Sequence, residues 1–416
     1  MTLRAVIPHR TGRGADTSTL RGHNLTLVLQ DVRDHQPTLR SEIAARTQLA
    51  RGSVTTLVPE LMSMGLLRES REGGGSLGRP SAPLEVDGSG LAAVAVQITG
   101  IDITTESVDL GARRILTDRR QHGGPESGSA EIIDLAAAML EDQLDELARR
   151  GIAFARAVVV ISAPVIGSPP IVMAATDLGW GALDIVAELV ARVPVLEDRL
   201  DLVNDAAMAA LAEHLRLRAT GVPAGTIVYL KSDTGIGGGV IVDGEVLYGA
   251  HGTAFEPGHV VVRHDGSPCH CGRSGCLVAE IGPDATAEAA GLGPLRDTSG
   301  ITVAIARLVE QVLEGDPRAV EVMGGVGRIL HSTLENMALL FDPDRIVIGG
   351  YWADVFDALD LTRPMSERLV RLRSAREEST RGDDFVIPGR LGSRAAREGA
   401  LSRTIDAVME SPLLFP

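Results

Sequence analysis

The stretch GTIVYLKSDTGIGGG, residues 225–239, joins a β-branched run to a glycine-rich turn. Three further runs of the same kind are LAAVAVQITG (91–100), ARAVVVIS (155–162) and DRIVIGG (344–350). Each run is long enough for a buried strand. The runs alternate with alanine-rich helical stretches such as residues 129–150. This alternation predicts an α/β body for residues 89–416.

The region before residue 89 has a different pattern. Apolar residues repeat at helical spacing in residues 24–35 and 51–65, and a short helix is predicted between them in residues 39–48. The stretches LLRES and APLEV flank the glycine-rich REGGGSLGRP and predict a two-stranded wing. Residues 21–88 are therefore predicted to form a winged helix-turn-helix, preceded by a flexible arm over residues 1–20. Pro59 is an anomaly, because proline inside a helix removes a backbone hydrogen bond.

In a helix-turn-helix, the third helix buries its apolar stripe and offers the opposite face of its N-terminal part to the major groove of DNA. The residues predicted to read DNA there are Arg51, Ser53, Thr55 and Thr56. Arg79, in the wing tip, is predicted to reach a minor groove, whose negative potential attracts a guanidinium. The alternative is a small helical cap that binds nothing.

Net charge divides unevenly along the chain. Residues 1–80 carry 11 Arg and 7 Asp or Glu, a net charge of +4. Because the whole chain has a net charge of −15, the remaining residues carry −19. A basic head on an acidic body is common in DNA-binding sensors, although a solvated arginine-rich surface would show the same balance. Neither a signal peptide nor a membrane-spanning run is found, and we expect a cytoplasmic protein without membrane partners.

All three cysteines of the chain lie in GHVVVRHDGSPCHCGRSGC, residues 258–276. A reducing compartment and an odd cysteine count both argue against disulfides. The cluster therefore indicates metal binding or redox chemistry.

Several motifs, taken in order, resemble the ROK family, which comprises repressors, open reading frames and sugar kinases. They cover nearly the whole chain: the winged helix with GRP (78–80), DLGWGALDI (177–185), NDAAMAALAE (204–213), residues 234–259, CHCGRSGC (269–276), FDPDRIVIGG (341–350) and REGAL (397–401). The resemblance implies a two-lobed actin-like body, of the ribonuclease H-like sugar-kinase type, behind the winged helix.

The resemblance also implies a structural zinc site, and ligand chemistry agrees with it. The predicted ligands, which would close a tetrahedral site with no open position, are His259, Cys269, Cys271 and Cys276. Gly272 and Gly275 would let the backbone fold tightly around the ion. His251, His264 and His270 are possible substitutes for His259, and three reduced thiols without metal are the alternative.

A sugar pocket is implied as well. Asn204 and Asp205 match the Asn-Asp pair of the family, whose aspartate is the base in the kinases, and Glu256 and His259 match its GExGH motif. Carboxylates suit this work because each accepts several hydroxyl hydrogen bonds. Without the resemblance, an Asn-Asp pair would indicate a turn or a helix cap.

The sequence departs from the family at the pocket. Val278 stands where a sugar-binding glutamate is usual, and Glu280 follows two residues too late to be equivalent. Phe255 replaces the glycine of the usual AGE. These departures predict an unusual ligand preference.

The nucleotide side distinguishes a sensor from an enzyme. The first phosphate loop reads QITGI, with Gln97 and Thr99 in place of an aspartate and a glycine. The second loop, DTGIGGG (233–239), is intact, but glycine-rich turns also serve ordinary hairpins. ATP binding is therefore not expected.

These observations predict a sugar-responsive transcriptional regulator, and they favour a repressor. Its expected partners are operator DNA, a sugar or sugar-phosphate effector, and further copies of the chain in a homodimer or homotetramer. The alternatives are an ATP-dependent sugar kinase with an accessory DNA-binding domain, and a zinc-stabilised scaffold with neither activity.

Overall fold

A computed structural model describes residues 17–70, 82–361 and 385–410, with side chains from residue 20 onward. Apart from these gaps, the residues divide into two compact units. One unit contains the N-terminal head, residues 89–161 and 170–203, and residues 400–410; the other contains residues 162–169 and 204–399. Among the described residues, none of the helices has the length and apolar character needed to cross a bilayer.

Within the described residues the α-helices are α1 (Thr17–His35), α2 (Arg40–Thr47), α3 (Arg51–Ser63), α4 (Gly128–Arg149), α5 (Ile185–Arg192), α6 (Asp205–Ala219), α7 (Leu277–Ile281), α8 (Pro283–Ala289), α9 (Gly293–Ser299), α10 (Ile301–Leu313), α11 (Pro317–Phe341), α12 (Tyr351–Asp354), α13 (Phe356–Leu359) and α14 (Ala395–Glu410). The strands are β1 (Leu67–Glu69), β2 (Leu84–Val86), β3 (Leu91–Ile98), β4 (Asp102–Asp109), β5 (Arg114–Gln121), β6 (Ala153–Ile161), β7 (Val165–Ile166), β8 (Ile171–Val172), β9 (Leu200–Asn204), β10 (Thr226–Ser232), β11 (Ile236–Val242), β12 (Glu245–Val246), β13 (Arg345–Gly350) and β14 (Val386–Pro388).

The head is a winged helix-turn-helix, as the sequence predicts. Helices α1, α2 and α3 share one apolar core, and β1 pairs antiparallel with β2. The residues that bury this core are Leu25, Val28, Leu29, Val32, Ile43, Val54, Leu57, Val58 and Leu61. Helix α3 continues through Pro59, which is exposed, so that the missing amide lies on the solvent side.

An ion pair joins the first two helices of the head. Arg46 of α2 donates from Nε and Nη2 to the two oxygens of Asp31 on α1, each at 2.8 Å, and also bonds the Thr38 hydroxyl. Thr38 in turn exchanges backbone bonds with Leu84 of the wing. One guanidinium therefore ties both helices to the wing, and bidentate geometry makes such contacts directional.

The body contains the same sheet twice. In the first sheet the strand order is β5-β4-β3-β6-β9, with β3, β4 and β5 antiparallel and β6 parallel to β3. In the second it is β12-β11-β10-β13-β14, with β10, β11 and β12 antiparallel and β13 parallel to β10. A repeated meander followed by a parallel strand is the two-lobed architecture that the resemblance implies. The four strands predicted from β-branched runs are β3, β6, β10 and β13.

Helix α6 is the central element of the second unit. Eleven of its residues are buried, including Glu213 and His214. Glu213 is satisfied by the amides of Arg390 and Leu391, at 2.6 and 2.9 Å, and by the Arg216 guanidinium at 2.7 Å. A fully paired carboxylate at this depth fixes one orientation of the helix.

Glycines let other elements approach α6 closely. A β-carbon at Gly239 of β11 would lie 2.8 Å from Cβ of Ala210, and one at Gly399 of α14 would lie 1.9 Å from the Met208 carbonyl oxygen. Glycine is needed at both positions because real β-carbons do not approach so closely. These contacts explain Gly239 of DTGIGGG and Gly399 of REGAL by packing.

We predict that Gly399→Ala lowers the free energy of unfolding by about 1 to 3 kcal/mol, because the new methyl group forces α6 and α14 apart. Gly324→Ala is the matched control. Gly324 also lies inside a helix, but its nearest neighbour is a flexible arginine tip at 3.9 Å, so alanine should be neutral or stabilise by up to about 1 kcal/mol. Urea unfolding measures both variants; equal effects would refute the packing explanation.

Burial and the positive charge of Arg218 lower the pKa of His214 below its ordinary value of about 6.5. The unfolded chain then binds this proton first, so His214 should cost stability as the pH falls through that ordinary value toward the lower folded one. His214→Phe should lose less stability between pH 7 and 5 than the wild type. His264→Phe, which alters an exposed histidine, should keep the wild-type pH dependence.

Candidate sensor site and metal centre

Asn204 and Asp205 lie where β9 ends and α6 begins. Asn204 caps the helix, because its Oδ1 accepts the amide of Ala207 at 2.9 Å, and its Nδ2 donates to the Ala163 carbonyl at 3.0 Å. The alternative interpretation of the Asn-Asp pair, as a helix cap, therefore holds for Asn204. One N–H and one lone pair of its amide remain for a ligand.

Asp205 is buried and paired. Its Oδ1 accepts the amide of Ala206 at 2.7 Å, and its Oδ2 accepts Nζ of Lys231 at 2.6 Å. The same Nζ donates to Oδ2 of Asp233 at 2.8 Å. Our sequence reasoning did not single out Lys231, although one signal was available: it is the only lysine of the chain.

Glu256 and His259 lie in one short turn, in which the His259 amide donates to the Glu256 carbonyl at 3.1 Å. Glu256 is open to solvent, but nearby protein atoms desolvate its carboxylate and raise its pKa; the His259 ring opposes this shift and the charge of Asp205 adds to it. Asp205, Glu256 and His259 therefore share one electrostatic neighbourhood.

The four predicted metal ligands converge. The ligand atoms of His259, Cys269, Cys271 and Cys276 all lie within 4.8 Å of one another. Cys271 Sγ is 3.6 Å from Cys276 Sγ, and Cys269 Sγ is 3.7 Å from His259 Nδ1. A tetrahedral ion with bonds of about 2.3 Å to sulfur and about 2.0 Å to nitrogen would separate its ligands by about 3.5 to 3.8 Å. The set therefore fits a closed four-ligand metal site, and disulfide bonding does not fit these distances.

Backbone hydrogen bonds shape the metal loop, residues 259–276. Cys269 donates to the Arg273 carbonyl at 2.8 Å, and Gly275 donates to the Ser267 carbonyl at 2.8 Å. Gly275 has φ +71°, and a β-carbon there would overlap the Arg263 carbonyl. The exposed His251, His264 and His270 are outside the ligand cluster found among the described residues.

Residues 94–402 match the model of the ROK family. The chain belongs to the ROK family. The DNA-binding transcriptional dual regulator NagC of Escherichia coli is 26% identical over 401 residues, which cover 94% of each chain. A kanosamine kinase of Amycolatopsis mediterranei is 35% identical over 174 residues, 42% of this chain and 54% of the kinase.

A solved ROK family transcriptional regulator, described as a homologue of the E. coli Mlc protein, superposes with a TM-score of 0.74 at 21% identity. The superposition covers 95% of this chain and 98% of the other. At this identity the comparison concerns the fold, and it confirms the winged helix with a two-lobed body.

The departures of this ROK protein from the family pattern have structural explanations. Phe255 has φ +65°, a conformation usual for glycine, and its ring packs edge-on to Phe341 with 5.4 Å between centroids. Glu280 accepts the Ser267 amide at 2.6 Å and pairs with Arg263 at 3.1 Å. Glu280 thus braces the metal loop, and Val278 packs half-buried against the core.

The two predicted phosphate loops make contacts within the chain. In the first, the Thr99 amide donates to the Asp102 carbonyl at 2.9 Å, and the Thr99 hydroxyl donates to Oδ1 of Asp102 at 3.0 Å. In the second, Gly237 and Gly239 of β11 pack against α6, and Asp233 at the start of the loop accepts a hydrogen bond from Lys231.

In the head, α3 presents its predicted DNA-reading residues to solvent. Arg51, Ser53, Thr55 and Thr56 are exposed, whereas Val54, Leu57, Val58 and Leu61 are buried. Their contact with DNA stays a prediction. Arg79 lies outside the described residues, and the boundaries at residues 20 and 88 stay predictions.

We predict about one equivalent of bound metal per purified chain, because a closed four-ligand site retains its ion. Cys276→Ser should remove or weaken the metal, since Cys276 is the buried ligand. His270→Ala, an exposed change in the same loop, is the control and should keep it. Elemental analysis measures both; equal metal content in the two variants would contradict the ligand assignment.

Proposed function

We propose that this ROK protein is a sugar-responsive DNA-binding transcriptional regulator, acting as a repressor. The observation that carries the proposal is that one chain contains a winged helix-turn-helix head and, at the start of α6, a buried carboxylate with acceptor sites left for a ligand. Alignment with NagC along 94% of both proteins supports it, because the aligned region includes the head as well as the body. The Mlc repressor of E. coli aligns over 78% of this chain, which supports the same layout.

The proposed DNA contact uses the exposed N-terminal face of α3. The hydroxyls of Thr55 and Thr56 bond the carbonyls of Arg51 and Gly52, at 2.8 and 3.1 Å, and each keeps acceptor capacity for a base edge or a phosphate. The Arg51 guanidinium is exposed and suits guanine or phosphate. A single winged helix covers few base pairs, so we propose a homodimer or homotetramer that reads two half-sites.

The proposed effector is a sugar or sugar phosphate at Asn204, Asp205, Glu256 and His259. Asp205 and Glu256 supply carboxylate acceptors for hydroxyl groups, and the free N–H of Asn204 supplies a donor. Electrostatic coupling of Glu256 to both Asp205 and His259 supports one common site.

Zinc is the metal that we propose for the closed site, since three thiolates and one imidazole are its usual structural ligands. It would cross-link residues 259–276, which are largely exposed and contribute little apolar surface of their own. Because His259 belongs to both sites, the metal would also fix the turn that carries Glu256.

We further propose that the protein does not transfer phosphate from ATP. The Thr99 hydroxyl donates to Asp102 within its own turn, and Asp233 at the start of the second loop is already paired with Lys231. The kinases among its relatives show that the family supports the alternative. Formation of ADP that requires the effector sugar, and that disappears in Asp205→Asn, would contradict this part of the proposal.

We predict that Arg51→Ala and Thr55→Ala each weaken operator binding by about 1 to 3 kcal/mol while the fold survives. Arg307→Ala, an exposed arginine of α10, is the control and should bind as the wild type does. Fluorescence anisotropy at fixed salt, with an operator selected from genomic fragments, measures the affinities.

The same assay tests sensing when neutral sugars and their 6-phosphates are added to the wild type. One of them should change operator affinity. Full affinity in both α3 variants would refute the DNA assignment, and a lack of response to every sugar would refute the sensing assignment.

A further inference from the structure

Lys231 stands apart from every other basic residue of the chain. Of 40 lysine and arginine residues, it alone is lysine. An ammonium is a compact point charge with three donors, whereas a guanidinium is a planar fork that matches one carboxylate bidentately. The chain therefore uses at one position only a compact ammonium, and its single nitrogen bonds two carboxylates.

The position of Lys231 on β10 allows this. Its cross-strand neighbours are Gly237 on β11 and Gly349 on β13, neither of which has a side chain. A β-carbon at Gly237 would lie 3.9 Å from Cε of Lys231, so the aliphatic stem passes beside this glycine. The Nζ atom reaches Asp205 at 2.6 Å and Asp233 at 2.8 Å, and the side chain is only 13% exposed.

The two carboxylates decide the charge of Lys231. Burial alone would disfavour the ammonium, but the charges of Asp205 and Asp233 outweigh burial and raise the pKa of Lys231 well above its ordinary value. An amine in this state is neither a nucleophile nor a base near neutral pH. Its available role is to hold the carboxylates.

The contacts of Asp205 favour accepting hydroxyl hydrogen bonds over removing protons. Each of its oxygens has one protein donor, the Ala206 amide on Oδ1 and the Lys231 ammonium on Oδ2. A carboxylate oxygen has two acceptor sites, so one on each oxygen remains. A general base ends its step protonated, and an ammonium held 2.6 Å from Oδ2 favours the charged carboxylate over its protonated form, whichever oxygen would take the proton.

We propose that Lys231 is a positioning residue that holds the Asp205 carboxylate as an ionised, oriented acceptor for sugar hydroxyl groups and prevents it from acting as a base. Asp233 is the second anchor of Lys231. This role rests on the proposed sugar-binding function and adds to it the residue that separates a receptor site from a phosphotransferase site.

The test compares Lys231→Met with Arg216→Met in the full-length protein. Arg216 pairs with the buried Glu213 at 2.7 Å on the same helix, so both changes leave a buried carboxylate without its cation. Thermal stabilisation by glucose, N-acetylglucosamine and N-acetylmannosamine is measured from pH 5.5 to 8. The wild type and Arg216→Met should respond equally at every pH.

In Lys231→Met, Asp205 and Asp233 face each other without a cation, and one of them should take up a proton as the pH falls. Sugar affinity should then drop by about tenfold per pH unit on the acid side of that uptake. A sugar response of Lys231→Met equal to that of the wild type at every pH would overturn the proposal and leave the sensing function intact.

A second measurement does not need the methionine variant to fold. With ¹⁵N-lysine labelling, the wild type should give one Nζ signal, which should remain that of an ammonium up to pH 10 and should shift in Asp205→Asn. Loss of the proton below pH 9, or no shift in Asp205→Asn, would overturn the proposal. If no sugar stabilises the wild type, the sensing function and the sugar-binding role of Lys231 both fail, whereas this signal still reports whether Asp205 is held.

Discussion

The close packing of α6 against β11 is the constraint on which the site depends. Gly237 and Gly239 remove the side chains that would separate helix and strand, since a β-carbon at either would lie within 3.0 Å of an alanine of α6. The helix then begins beside the end of β10, and Asp205, its first residue, comes within reach of Lys231. A larger residue at Gly237 or Gly239 would push α6, and with it the Asp205 carboxylate, away from Lys231.

The metal loop is held in place by contacts other than apolar packing. Residues 259–276 are rich in exposed and polar side chains, so apolar burial contributes little to holding them. Backbone bonds at Cys269 and Gly275 and the contact of Glu280 with Ser267 hold them instead, and a metal bound by the four converging ligand atoms would add to this. Because His259 belongs to this cluster and lies in the same turn as Glu256, a bound metal would also restrain the proposed sugar site.

One fold carries both kinases and regulators in this family, and the differences lie at a few side chains. In this chain, Thr99 of the first phosphate loop donates a hydrogen bond to Asp102. Asp233 of the second phosphate loop accepts one from Lys231. Neither contact disturbs the repeated sheets. The strand order, repeated in both halves of the body, therefore supports receptor chemistry as readily as transfer chemistry, and the site residues decide between them.

Local patterns in the sequence determined the elements. Helical spacing predicted α1 and α3, and β-branched runs predicted β3, β6, β10 and β13. Three cysteines within eight residues indicated the metal loop. These signals can be read from the sequence because they depend only on neighbours along the chain. The sequence predicted the ends of the elements and of the two wing strands less precisely. The contact of Lys231 with Asp205, 26 residues away, and the bond of Asn204 to Ala163, 41 residues away, were decided by tertiary structure alone. So was the bracing role of Glu280, which the sequence had left unassigned. Such contacts depend on how strands and helices pack, and a carboxylate or an amide has no local pattern that reveals which distant partner the packing will bring to it.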